Sequence, residues 1–564
     1  MPLFRSLAGY DRTWLRGDLL AGMTVWAVLV PEALAYASIA GVSPVVGLYA
    51  APGALLLYAA FGSSRHLVVG PMSATAALSA AAVAEVATQG SADFAAHTVA
   101  LALTTGLLAL GAGLLRLGFL ASFISEPVLK GFIIGLALTI VAGQLPDLLG
   151  VEGAGGNFFE RLWGVLADLG QTSATTLLVG LASLALVLGL RRAAPRVPGS
   201  LVAVLAGIAA VWLFDLDAHG VGIVGQIDSG LPALGPPDVE ASHYLALAPA
   251  AAGVMLVGFA EGLGAAKTYA ARAHYEVDAN RELLGLGAAN LGAGLSSGMV
   301  VNGSLSKTAV NGAAGARSQV SGLVVAVLTV VTLLFLTGLF ENLPEATLAA
   351  VVIAAVIELV DLPALTALYR MATRQLRGIY GIAARPDFYA AVAALAGVLV
   401  FDTLPGLFIG IAVSLLLLLY RASRPHVAVL GQVPGRPGHY GDVQRHPENQ
   451  LEPGVVLLRV EGGLFFANAD TVRDAIRNAA GPETRAVVLD AETAPFIDVS
   501  AARMLVLLTG DLRRSGVELV IARDVGQVRD VLRRAGTDAP LPRAYPSVRD
   551  AVEAVTDPES PAQG

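Results

Sequence analysis

The chain has 564 residues, of which 55% are hydrophobic and 14% charged, with a net charge of −8 and a mean hydropathy of +0.68. Soluble domains carry about 25% charged residues, so this composition excludes an ordinary soluble protein and indicates a membrane protein. The lack of cysteine excludes disulfides, thiolate metal sites and cysteine nucleophiles, the eight histidines form no spaced metal-binding cluster, and no basic patch suits a nucleic acid.

The N-terminal residues are polar and mixed, and an apolar run begins at Leu19. No small-residue cleavage site closes that run, so it reads as a first span and not as a removed leader. Segments of about 17–25 apolar residues can cross a bilayer as helices. Residues 19–40, 44–61, 97–115, 123–145, 173–190, 199–214, 245–263, 318–340, 345–360, 387–402 and 404–420 qualify. Three further segments, 70–88, 282–297 and 303–315, are short, interrupted or rich in Gly, Ala and Ser. Together they give an α-helical polytopic membrane protein of about 14 elements, as counted from those ranges.

Lys/Arg asymmetry between loops sets the orientation. A cytoplasmic N-terminus places Arg12, Arg16, Arg65, Arg116, Arg191, Arg192, Arg196, Arg272, Arg281 and Arg317 inside, followed by Arg370, Arg374, Arg377, Arg385, Arg421 and Arg424. The loop 215–244 then lies outside, with Asp215, Asp217, Asp228, Asp238 and Glu240 and no Lys or Arg. Arg161, in the outside loop 147–170, is the exception.

Two short stretches resemble each other: LVVGPMSAT at 67–75 and MVVNGSLSKT at 299–308. Each is a β-prone run, then Gly, then small hydroxyl residues that open a helix too short to span. Irregular backbone at membrane depth persists where it is buried in protein or lines a cavity. The N-termini of half-helices offer free N–H groups and partial positive charge to an anion. Matched interruptions in two halves point to a transporter site near the midplane. Seven elements per half, an odd number, make the repeats inverted, over about 12–214 and 245–424. Close helix packing through Gly is the competing reading.

Ionisable residues inside spans are functional candidates. Glu32 lies in VPEALAYA after Pro31, and Glu261 lies in GFAEGLGAAKTYA, in the first span of the second half. A carboxylate beside an anion site repels the anion unless it is protonated or paired, which links a coupling ion to anion binding. A structural carboxylate bonded to backbone N–H groups is the alternative. Lys307, one of three lysines, is expected to meet the substrate or to neutralise Glu261. Ser73 and Ser304 open the half-helices, as N-caps, as oxyanion donors, or as both. The candidate substrate-binding set is Pro71, Met72, Ser73 and Ala74, then Gly303, Ser304, Leu305, Ser306 and Lys307, with Tyr36. Glu32 and Glu261 are the candidate ion-coupling residues, and Lys130 reads as interfacial.

Beyond residue 425, the end of the membrane domain, residues 426–454 read as a linker rich in Gly, Pro, His and Gln. Strand-like runs at 455–460, 486–489 and 517–522 alternate with helical stretches at 468–480, 500–515 and 525–535, indicating a small α/β domain over 455–555. Residues 556–564 read as a disordered tail.

The segment VPEALAYASIAGVSPVVGLYAAPGALLLYAAFGSSRHLVVGP resembles the N-terminal signature of the sulfate permease (SulP) family of anion transporters, and NGSLSKTAVNGAAGARSQVSGLV resembles its tenth-span motif. The C-terminal domain is similar to STAS domains (sulfate transporter and anti-sigma factor antagonist). The resemblance implies a transporter and not an enzyme. It implies fourteen elements in two inverted seven-element repeats, with spans three and ten as half-helices at 71–88 and 303–315. It further implies a core moving against a gate, dimerisation through the cytoplasmic part, an inner-membrane location, and no cofactor other than a coupling proton or sodium. Family substrates include sulfate, bicarbonate, chloride and dicarboxylates. The eighth-span acid maps to Glu261 and the tenth-span base to Lys307. Two departures stand out: Glu32 replaces a common Gln, and Ala265 stands where the sodium-coupled branch has Thr. These favour proton-coupled sulfate uptake, with a bicarbonate or dicarboxylate carrier, an exchanger, or a membrane-anchored STAS regulator as alternatives. In FIDVSAARM, Ser500 matches a serine phosphorylated in anti-sigma antagonists and is expected to cap the following helix.

Overall fold

The computed structural model describes every residue except 1–2, 8, 90, 120–124, 154, 195–196, 226, 228, 371–384, 402, 536–540 and 557–564. Expectations for Arg196, Asp228, Arg374, Arg377 and the tail 557–564 therefore lie outside the described residues. Two units are distinguishable, residues 1–369 with 387–414, and residues 370–386 with 415–564.

In the first unit the apolar runs form α1 (Leu15–Ile39), α2 (Pro44–Phe61), α4 (Ala92–Leu114), α5 (Glu126–Leu149), α7 (Ala174–Ala193), α8 (Gly199–Phe214), α9 (Ala241–Arg272), α10 (Ala279–Leu295), α12 (Val320–Phe335) and α13 (Glu345–Val356). Between them lie α3 (Ser73–Ala84), α6 (Phe158–Ala167), α11 (Leu305–Ala313) and α14 (Leu362–Arg370), and the last two apolar helices are Pro386–Phe401 and Thr403–Ala422. Among the described residues, seven helices reach 18 residues with enough hydropathy to cross a bilayer. Among the shorter apolar helices, α12 and α13 finish in 3-10 turns, at Thr337–Phe340 and Ile357–Leu359. Side-chain caps start the helices where the sequence supplies Ser, Asn or Asp: Ser91 for α4, Ser125 for α5, Asn157 for α6, Ser173 for α7 and Asp278 for α10.

The packing carries a repeat. Helix α2 lies against α10, α4 lies against α9 and α10, and α12 lies against α1 and α2. Exchanging α1 with α9, α2 with α10 and α4 with α12 maps this pattern onto itself. Glycine sets the approach at the α2–α10 contact. A Cβ on Gly53 would sit 2.4 Å from the Gly292 carbonyl oxygen, and one on Gly292 would sit 2.4 Å from that of Gly53. Such small-residue contacts let helix backbones meet where lipid supplies no hydrophobic drive between helices.

The β-prone runs before the half-helices are strands, and they pair with each other. Strand β1 (Val68–Gly70) runs antiparallel to β2 (Asn302–Ser304), with Val68 opposite Ser304, Val69 opposite Gly303 and Gly70 opposite Asn302. All six residues are buried. This pairing satisfies backbone groups that would otherwise be orphaned at membrane depth.

The second unit holds a six-stranded sheet of β3 (His426–Gln432), β4 (Tyr440–Asp442), β5 (Val455–Glu461), β6 (Ala486–Asp490), β7 (Glu518–Ala522) and β8 (Arg543–Tyr545), in the order β4-β3-β5-β6-β7-β8. The run from β5 to β8 is parallel, and β3 pairs antiparallel with both β4 and β5. Helices Ala469–Ala479, Val499–Arg514, Gly526–Ala535 and Val548–Thr556 accompany it. Strand β6 is buried along its whole length, as a central parallel strand covered on both faces must be. The linker expected over 426–454 is corrected: its residues supply β3 and β4 of the sheet. Its glycines serve this hairpin. Gly435 and Gly438 take φ of +73° and +80° in the turn, and a Cβ on Gly431 would sit 2.9 Å from the Gln450 carbonyl oxygen. Ser500 is not the cap of Val499–Arg514. Asp498 is, accepting from the Ala501 N–H, while Ser500 is exposed.

Candidate functional site

The β1–β2 ribbon brings the starts of α3 and α11 to one place. Their capping differs. The Ser304 hydroxyl caps α11 by accepting from the Lys307 N–H at 3.2 Å, and the Ser304 and Ser306 hydroxyl oxygens lie 3.1 Å apart. At α3 the N-cap position falls on Met72, in extended backbone, and no side chain caps the helix. The N-cap alternative for Ser73 does not hold, since Ser73 is the first helical residue. The first turn of α3 thus points N–H groups and the positive end of its dipole into the site without a resident acceptor side chain.

Lys307 is 1% exposed. Its Nζ lies 2.6 Å from Glu32 Oε2 and donates to the Pro71 carbonyl at 3.1 Å, and it stands over the Tyr36 ring, 5.1 Å from the centroid. The expectation that Lys307 neutralises Glu261 is corrected, because its carboxylate partner is Glu32. Pro31, lacking an N–H, breaks one helical bond beside Glu32 in an otherwise continuous α1. Glu261 accepts from Asn302 Nδ2 at 3.3 Å, and Asn302 Oδ1 accepts from the Gly303 N–H at 2.6 Å. Glu261 therefore meets the site through strand β2. Val68 N–H donates to the Thr308 hydroxyl at 3.0 Å, which ties β1 to α11.

Glu32, Tyr36, Pro71, Ser304, Ser306 and Lys307 are gathered in one cluster. Met72, Ser73 and Ala74 open α3 beside it, and Gly303 sits in the ribbon. Leu305, in contrast, turns an exposed side chain outward. Lys130 pairs with Glu126 at 2.9 Å on the surface of α5.

Two buried carboxylates were not singled out from the sequence, and their bonds explain why they are structural. Glu282 accepts from the Tyr58 hydroxyl at 2.6 Å, the Ser63 N–H at 2.8 Å and hydroxyl at 2.6 Å, and the Ser64 N–H at 3.0 Å. Asp18 accepts from the N–H groups of Arg317 and Ser318 at 2.7 and 3.2 Å and from the Ser318 hydroxyl at 2.6 Å. Each pins a turn next to a half-helix, Glu282 through four hydrogen bonds and Asp18 through three.

Two cavities lie near the half-helices, and one of them touches the cluster. One of about 240 Å³ touches Glu32, Tyr36 and Ser306 and opens beside Arg191 and Gly199, at the α7–α8 turn. Another, of about 400 Å³, touches none of the cluster residues and is lined by Ser38 on α1, Ala77 on α3 and Arg161 on α6. An oxyanion entering the cluster would find the uncapped N–H groups of α3, the Ser306 hydroxyl and the Lys307 ammonium. Among the described residues no group of His, Asp or Glu side chains could hold a metal ion.

Known proteins share this organisation. The Sulfate permease family matches residues 15–381, and the STAS domain matches residues 446–551. A probable sulfate transporter of Mycobacterium tuberculosis is 39% identical over 529 residues, covering 93% of this chain and 92% of that protein. The structure of the murine Solute Carrier 26 family member A9 anion transporter in the inward-facing state is similar with a TM-score of 0.88 at 22% identity, covering 98% of this chain and 93% of the other. The transmembrane domain of the cyanobacterial bicarbonate transporter BicA is similar with a TM-score of 0.61 at 23% identity, covering 71% of this chain and 98% of the other. At these identities the two structures demonstrate a common fold.

Proposed function

The chain belongs to the sulfate permease family, a family of membrane transporters and not of enzymes, and from that premise we propose that it takes up sulfate, or a similar oxyanion, together with a proton. The carrying observation is the Lys307–Glu32 contact of 2.6 Å beside the uncapped start of α3. With Glu32 ionised, the ammonium is held by an internal carboxylate and the anion competes with that carboxylate. With Glu32 protonated, the ammonium is released to the anion, and the pair of charges entering the site is the proton and the oxyanion. The sign follows: acid on the entry side strengthens binding, and alkali weakens it. Transport proceeds by alternating access of the cluster to the two cavities. In the same reading the N-terminus and STAS domain are cytoplasmic, the membrane is the inner (plasma) membrane, and the protein works as a homodimer. No cofactor is needed beyond the coupling ion. Residues 1–425 carry transport, and the sheet domain, beginning at β3, serves assembly and regulation.

The test is initial-rate uptake of labelled sulfate into proteoliposomes at external pH 5.5–8. The wild type should be stimulated by acid. Glu32→Gln should run at the acid rate throughout and lose the pH slope. A slope retained in Glu32→Gln but lost in Glu261→Gln would transfer coupling to Glu261. Uptake of bicarbonate or fumarate with no sulfate uptake at any pH would overturn the substrate.

A further inference from the structure

Arg161 is the residue that breaks the positive-inside pattern, and it borders a cavity. The 400 Å³ cavity is lined by Ser38 on α1, by Ala77 and Ala84 on α3, by Gln144 and Asp147 on α5, and by Arg161 on α6. Asp147 and Arg161 are its charged groups, and its remaining polar lining (Ser38, Gln89, Thr139, Gln144 and Thr403) is neutral. Behind Asp147, on α13, Glu345 lies within electrostatic reach.

The local build presents Arg161 to this space. Helix α6 is fixed at its start by a capping box, Asn157 accepting from the Glu160 N–H and Glu160 accepting from the Asn157 N–H. The Arg161 Nε donates to the Gly156 carbonyl at 2.8 Å, which anchors the guanidinium by one edge. A Cβ on Gly143 would sit 3.2 Å from Arg161 Nη1, so the absent side chain at Gly143 leaves room for the other edge. Phe159, Trp163 and Leu166 form a separate, exposed face of α6. The α3 wall of the cavity carries alanine at 77, 80, 81 and 84, with no polar group to trap an ion. From Ala77 the start of α3 is one helical turn away, on the order of 6 Å.

We propose that this cavity is a capture site for a small anion ahead of the Lys307 cluster, with Arg161 supplying the attraction and Asp147 making it pH-dependent. A guanidinium stays charged at every working pH. When Asp147 is ionised the two charges cancel and the cavity is neutral toward anions. When Asp147 is protonated the cavity carries the charge of Arg161 alone and concentrates anions at the site entrance. The inference rests on the reading of the chain as an anion transporter whose α6 side faces outward. It gives external acid a second point of action, on capture, besides its action on Glu32.

The test does not depend on which anion is carried. The chain has no cysteine, so Ala84→Cys, an exposed position on the cavity wall, is a unique reporter. Full-length protein in nanodiscs is treated with methanethiosulfonate reagents of opposite charge, sulfonatoethyl and trimethylammonioethyl, between pH 8 and pH 5. The ratio of their rates cancels the thiolate fraction and reads the local potential. The anionic-to-cationic ratio should rise as pH falls. Arg161→Gln should lower it by about tenfold, the scale of losing one unit charge in a wet cavity, and Arg161→Lys should restore it. Asp147→Asn should hold it at the acid value throughout. A ratio unmoved by Arg161→Gln would overturn the capture site, and a pH slope that survives Asp147→Asn would overturn the assignment of Asp147. Failure of sulfate transport alone would leave these ratios intact, so the two readings fail separately.

Discussion

Lys307 sits where two demands meet, because its ammonium holds both a carboxylate and a carbonyl. Truncating it removes a charge-assisted bond worth roughly 1.5–3 kcal/mol to an anion, so Lys307→Ala should weaken sulfate binding by about 10- to 100-fold in calorimetric titration of purified protein. It also leaves Glu32 buried without its cation, and breaking such a pair costs roughly 3–5 kcal/mol. Lys307→Ala should therefore lower the melting temperature, and Lys307→Ala with Glu32→Gln should recover most of that loss while binding stays weak. A double variant that melts like the single one would remove Glu32 as the partner. Ser304→Ala, which deletes the α11 cap, should cost about 1 kcal/mol by the same melting assay. Sequence made both Glu32 and Glu261 visible, as carboxylates in apolar runs. It pointed Lys307 at the wrong one, Glu261, because the repeat places the two carboxylates equivalently and only the folded distance of 2.6 Å identifies Glu32 as the partner.

At the scale of elements, the glycine contact between α2 and α10 joins the paired repeats at close range. With the backbones this close, Gly292→Val inserts side-chain atoms where the Gly53 carbonyl already lies 2.4 Å from a Cβ position. The variant should show reduced yield of monodisperse protein and a melting temperature lower by several degrees, whereas Gly189→Val, at a position open to within 4 Å, should leave both unchanged. The half-helices were legible as small residues following β-prone runs. Their strand pairing was not, since Val68 and Ser304 lie in different halves and no local signal sets a register between them. Met72, and not Ser73, occupies the cap position of α3, because helix boundaries shift by a residue with little sequence signature. The β3–β4 hairpin was masked by its own turn, whose Gly and Pro content is shared by linkers.

At the scale of the whole molecule, each unit has its own core, so unfolding should proceed in two calorimetric transitions in detergent and not in one. The sheet domain has a buried acid at its centre. Asp490 on β6 accepts from Arg459 Nε at 2.7 Å and from Arg523 Nε at 3.0 Å. Asp490→Asn should lower one transition, with a loss of roughly 3 kcal/mol, and leave the other and sulfate uptake in place. Movement of both transitions together would mean that the units melt as one. The ribbon of β1 and β2 has a further consequence. The two half-helices are laced to a common pair of strands, so under the alternating access proposed above their donors would keep one spacing in both orientations of the site. Equilibrium dissociation constants measured from opposite faces of the membrane should then coincide, and any disparity between the half-saturation of import and of export becomes a property of the approaches.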